Sequence, residues 1–126
     1  MLELVRPIDT DTLQRMLRYG LTTAIQRVHL RPGCRPLAEG LGTPREISFR
    51  QLTREDIDAV AGHFLAAAQV SERVRDGAMD AAREIFLFME LPGGGLAEAT
   101  LEPCDHGIAI TIELYALLPE AERASL

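Results

Sequence analysis

Near the end of the chain Ile108, Ile110, Ile112 and Leu114 alternate with Ala109, Thr111, Glu113 and Tyr115. A period of two over that length predicts a strand with one face in a core and the other at least partly wet. Ala97, Ala99 and Leu101 alternate with Glu98 and Thr100 in the same way over Leu96 to Glu102, and Pro-Cys-Asp-His-Gly joins the two segments. This pattern predicts a hairpin, with Gly107 supplying a permissive backbone at its turn. Upstream, Ile85 to Leu91 is apolar on both sides except for Glu90 and stops at Pro92-Gly93-Gly94-Gly95. Periodicity leaves it open between a central strand and the end of a helix running from Ser71. Strand is the better reading, because three similar segments joined by short loops make a regular antiparallel meander. Ile108–Leu114 then becomes an edge with no proline, no lysine and only Glu113 as a guard charge, so a second strand or a second copy of the chain is expected to cover it.

Before the meander the period changes. Asp9 or Thr10 offers an N-cap, and Leu13, Met16, Leu17, Leu21, Ala24, Ile25 and Val28 recur at three- and four-residue steps, which predicts an amphipathic helix to about Leu30. Gly20 is its weak point, at about 1 kcal/mol relative to alanine. Arg31 to Arg45 holds three prolines and three glycines and is expected to be an irregular loop. Glu46 to Leu52 is a further strand candidate, as is Leu2 to Ile8. Thr53-Arg54-Glu55-Asp56 resembles a capping box with Asp in the third helical position, flanked by Leu52 and Ile57 as a hydrophobic staple. The helix after it carries Ile57, Val60, Ala61, Phe64, Leu65 and Ala68 on one face. A last helix is expected from Ser71, carrying Val74, Ala78 and Ala82.

The elements add up to a single α+β domain over residues 1–126. Its expected form is a small antiparallel sheet, the C-terminal three-stranded meander plus one or two further strands, with two or three helices packed on one face. An apolar content of 47% and a charged content of 25% suit a globular chain. No apolar run approaches the ~20 residues of a spanning helix. The opening MLELVRPID lacks the layout of a secretory signal, and two cysteines 70 positions apart form no disulfide framework, so a reduced, cytoplasmic protein is expected.

Charge narrows the chemistry further. All 13 basic residues are arginine, which excludes Schiff bases and the P-loop amine. The alanine-rich, arginine-only usage points to a GC-rich bacterial or phage genome. Residues 1–50 carry eight Arg against five Asp and Glu, a balance of +3, and residues 51–126 carry five Arg against fourteen, a balance of −9. With −6 overall, nucleic acid is not an expected partner.

Few residues offer site chemistry. Arg27, Arg31, Arg35 and Arg45 lie in or beside the proline- and glycine-rich loop and form a candidate anion site. His63, at the margin of the second helix's apolar face, is a candidate binding or proton-handling residue. His29 with Cys34, and Cys104 with His106, have the donor types of a tetrahedral zinc site, but Cys-x-His is tighter than the usual knuckle, so no metal or other cofactor is expected. Cys104-Asp105-His106 holds a nucleophile, a carboxylate and a base, yet neighbours in a tight turn diverge, which excludes a triad. Glu98, Glu102 and Glu113 suit a wet sheet face without acid–base work.

The run ISFRQLTREDIDAV is similar to the opening of GNAT-type acetyltransferases. No glycine-rich acyl-CoA loop follows it, and no family is assigned. The function expected is therefore that of a non-enzymatic accessory or adaptor protein working through a protein partner or as a homodimer. The alternative is a small-molecule or anion binder, with or without catalysis, using the arginine loop and His63.

Overall fold

In the computed structural model, described for residues 8–22, 25–40, 44–48, 50–67, 85–91, 94–104 and 107–115, Asp9 opens the first helix, α1 (Thr10–Thr22). Its carboxylate accepts a 2.7 Å bond from the amide of Thr12 and its carbonyl accepts from Leu13, which satisfies two of the otherwise unpaired amides of the first turn. Leu13, Met16 and Leu17 are fully buried on the inner side.

The helix expected to run to Leu30 stops at Thr22. Ile25–Leu30 is a strand, β1, that pairs antiparallel on one side with β2 (Leu37–Gly40) and on the other with β6 (Gly107–Tyr115). The register of β1 against β2 slips between Ile25 and Arg27. Such a bulge inserts one extra residue and stretches the strand's inward spacing from two to three. Ile25, Val28 and Leu30 therefore all point into the core at steps that imitate a helix. The expected loop from Arg31 to Arg45 is likewise interrupted by β2. β3 is only Arg45–Glu46, and among the described residues the strand expected to continue to Leu52 does not form. Ile47 and Leu52 are buried all the same, because the amide of Ile47 bonds to the carbonyl of Pro36 and Leu52 exchanges bonds with Cys34 and Gly33.

Thr53 caps the second helix, α2 (Arg54–Ala67), as the sequence predicts: the amide of Asp56 donates to its Oγ1, and the Thr53 amide donates back to the Asp56 carboxylate at 2.8 Å. Ile57, Val60, Ala61, Phe64 and Leu65 are buried. The expected helix from Ser71 and the expected strand from Leu2 to Pro7 lie outside the described residues; Ile8, at the end of that strand, is described and lies in no strand.

β4 (Ile85–Glu90), β5 (Leu96–Cys104) and β6 form the meander, with Ala99 opposite Leu87 on one side and Ile112 on the other. The β5–β6 turn is tighter than expected, since Cys104 pairs with Gly107 directly, and Gly107 has a φ of 127° that only glycine adopts comfortably. The small sheet expected, a three-stranded meander plus one or two further strands, is thus overturned. All strands join one six-stranded antiparallel sheet in the order β3-β2-β1-β6-β5-β4, with two helices among the described residues. β6, expected at an edge, lies between β1 and β5, because its bonding groups on both sides are taken by neighbours.

Val28, Ile112, Ala99 and Leu87 form one continuous buried row across four strands beneath the helices, and Leu30, Ile110 and Leu101 form the next. Gly20 allows α1 to approach closely; a Cβ there would run into the side chain of Leu114.

Candidate functional site

The opposite face of the sheet carries the other half of every strand's alternation and has no helix on it among the described residues. One cross-strand row reads Glu39, Arg27, Glu113, Glu98, Phe88; the next reads Leu37, His29, Thr111, Thr100, Phe86. On the β1 side this face is a linked polar network. Arg27 lies 3.1 Å from Glu113 and 3.7 Å from Glu39, His29 Nε2 lies 2.8 Å from Glu39, and the Tyr115 hydroxyl donates to Glu113 at 2.7 Å. The bond from Tyr115, with Arg27 beside it, holds Glu113 below the usual carboxylate range despite some loss of solvent, and the same bond pushes Tyr115 up to about 12. Glu39 is held low chiefly by the bond to His29.

On the β4 side the face is aromatic and acidic. Phe86 is 57% exposed and Phe88 51%; with Tyr115 of β6, 42% exposed, they are three of the four large hydrophobic side chains left in water among the described residues. The fourth, Tyr19, is on α1. Leu87 and Met89 face the core, whereas Phe86 and Phe88 face out, and β4 ends the strand order rather than standing in its centre as expected. The run IFLFM does not say which of its sides is wet.

The structure spreads the candidate anion-site arginines over two open recesses, Arg31 with Arg35 in one and Arg27 with Arg31 in the other. Arg27 belongs to the network just described, Arg35 is paired with Glu46 at 2.9 Å, Arg45 is exposed in β3, and Arg31 is exposed beyond the end of β1. Arg31, Arg35, His29 and Cys34 do border one open groove. His63 is in the helical layer on the other side of the sheet from Arg27. Its Nε2–H donates to the carbonyl of Ile8 at 2.8 Å, which leaves Nδ1 to accept from the Thr10 hydroxyl at 3.0 Å, so this ring ties α2 to the start of α1. Of the candidate zinc ligands, His106 lies outside the described residues, His29 is bonded to Glu39, and Cys34 and Cys104 are free and exposed. Among the described residues no group of His, Cys, Asp and Glu is placed to hold a metal.

A further charged pair escapes sequence reading. Arg50 grips Asp56 with two bonds of 2.6 and 3.0 Å while Thr53 donates its amide and hydroxyl to the same carboxylate. Burial would raise the Asp56 carboxyl, but these donors outweigh it and hold it below its ordinary value. The pair fixes the entry to α2, with both carboxylate oxygens engaged. Among the described residues no helix is long and apolar enough to cross a membrane.

No protein-family model matches the chain, and no curated protein matches it. Solved structures do resemble it. The pilus retraction motor PilT bound to ADP matches 88% of this chain with a TM-score of 0.63 at 17% identity, over 31% of its own length. The ATPase DotB of Yersinia pseudotuberculosis matches 96% with a TM-score of 0.65 at 16% identity, and DotB of Legionella pneumophila matches 100% with a TM-score of 0.71 at 15% identity, each over 35% of its length. The likeness is one of fold, and the chain spans about a third of the length of these ATPases.

Proposed function

We propose that this chain is a non-enzymatic interaction module of the bacterial cytoplasm, working by protein–protein contact through the open face of its sheet. The observation that carries this reading is the exposure of Phe86, Phe88 and Tyr115 on the sheet face that has no helix on it among the described residues. Large aromatic side chains exposed together on one face mark contact surfaces. The fold likeness supports the reading from a second direction, since the same architecture makes up part of longer chains, a pilus retraction motor and two ATPases. Phosphate loops of the ATPase type require G-x-x-x-x-G-K-[ST], and this chain has no lysine. A cytoplasmic setting fits two free, exposed thiols. Anion binding has less support, because Arg27 and Arg35 already face carboxylates and His63 is engaged elsewhere.

The test is site-specific photo-crosslinking in the native cell. A crosslinking amino acid at Phe88 is expected to give a discrete protein adduct that is lost on Glu98→Lys, whereas the same group at exposed Arg18 on α1 gives none. Equal labelling from both positions, or none from Phe88, refutes the reading.

A further inference from the structure

β4 is an edge: β5 pairs with one side, and no described residue pairs with the other. Which backbone groups that free side offers follows from one bond. The Leu91 amide donates to the Gly95 carbonyl, in the same register that sets Met89 opposite Ala97 and Leu87 opposite Ala99. Bonded and non-bonded pairs alternate along an antiparallel ladder, so Leu87, Met89 and Leu91 direct their amides and carbonyls toward β5. Phe86, Phe88 and Glu90 direct theirs outward. The residues that present free backbone groups at the edge are the same ones whose side chains lie on the open face.

Among the described residues nothing guards this edge in the usual way: Ile85–Glu90 has no proline, no lysine and a single charge at its end. The surface beside it carries three carboxylates, with Arg27 and Arg31 bordering the same recess further from the edge. Glu90 shares the open face with Phe86 and Phe88, and Glu98 and Glu102 lie one strand further in. Among the described residues none of these three carboxylates has a cation within ion-pair distance. A second copy fits this surface poorly, because it would bring the same carboxylates against themselves in a chain of net charge −6.

We infer that the β4 edge accepts an extended, cationic segment of a partner protein as a seventh strand, with arginine or lysine at alternate positions. Backbone bonds to Phe86, Phe88 and Glu90 hold the segment, as in other cases of strand addition. Its outward side chains lie with their stems on the Phe86 and Phe88 rings and their charged heads toward Glu98 and Glu102. This inference rests on the interaction-module reading and specifies the chemistry of its partner.

The probe is a labelled Arg-Val repeat of about ten residues, titrated against the full chain by fluorescence anisotropy, with amide shifts followed by NMR. Saturable binding that moves the amides of Phe86, Phe88 and Glu90 is expected. A Glu-Val repeat should not bind, and N-methylation of alternate backbone nitrogens should weaken the basic peptide at least about tenfold. Glu98→Lys with Glu102→Lys, checked for folding by circular dichroism, should reverse the preference between the two repeats. Binding that survives N-methylation is charge attraction without pairing and overturns the inference. So does a concentration-dependent dimer whose formation shifts the same three amides, since the edge then belongs to a second copy. If no peptide binds while Phe88 still crosslinks in cells, strand addition falls and the interaction module stands; if both fail, both fall.

Discussion

Asp56 is the residue on which the entry to α2 depends. Removing its charge breaks the ion pair with the partly buried Arg50, so Asp56→Asn is expected to destabilise the fold by about 3 kcal/mol at pH 7. The carboxyl is held below its ordinary 3.8, so its stabilisation is complete above that value and is lost as pH falls through the lower folded value. Urea unfolding at pH 7 and again near pH 3 checks this, and the gap between variant and parent must narrow in acid. Tyr115→Phe is a milder probe: it deletes the donor that holds Glu113 low, so the Glu113 carboxyl should titrate at a higher pH by NMR. Local chemistry of the capping kind is legible in sequence, because Thr53 and Asp56 sit three residues apart by rule. Arg50 is not, since no spacing rule ties it to Asp56; the contact exists only once the irregular segment before α2 has folded back.

Among the elements, β1 shows how a correct period can name the wrong structure. A bulge at its start turns the inward steps of a strand into those of a helix, and Ile25 and Val28 extend the pattern of α1 without a break. The two β-branched threonines at 22 and 23 were the available counter-signal, being poorer helix formers than the residues before them. Gly20 marks the same region for another reason. Its helix would gain about 1 kcal/mol from alanine by propensity alone, yet a Cβ there meets Leu114 of β6. Gly20→Ala is therefore expected to lower stability by about 1–3 kcal/mol through overpacking, and Leu114→Ala should make the same substitution neutral or favourable. A double-mutant cycle measured by denaturant unfolding reads that coupling.

For the molecule as a whole, the two-sided character of the sheet was legible from alternation: Ile108, Ile110, Ile112 and Leu114 went inside, and Glu98, Glu102 and Glu113 outside. The candidate site was half legible. Its carboxylates could be assigned to a wet face, but Phe86 and Phe88 could not, because an apolar run shows no preferred side. Strand order was beyond reach: adjacent hairpins are local, whereas the pairing of Arg27 with Glu113 spans most of the chain. With β6 inside the sheet, the homodimer expected from its bare edge has no support from that strand, and sedimentation velocity on the full chain measures association directly. The same placement governs how the protein is made. β6 follows every other described element in sequence, yet it is the strand that joins β1 to β5. A nascent chain that has exposed residues only as far as Cys104 holds two separate ribbons, each with an uncovered apolar underside and an open seam. Non-local closure of this kind is slow and cooperative. Ribosome-stalled chains ending before Gly107 are expected to be digested rapidly by protease. Resistance should arrive in one step once residues through Tyr115 have left the exit tunnel, and until then the cell has to shield an unfinished sheet.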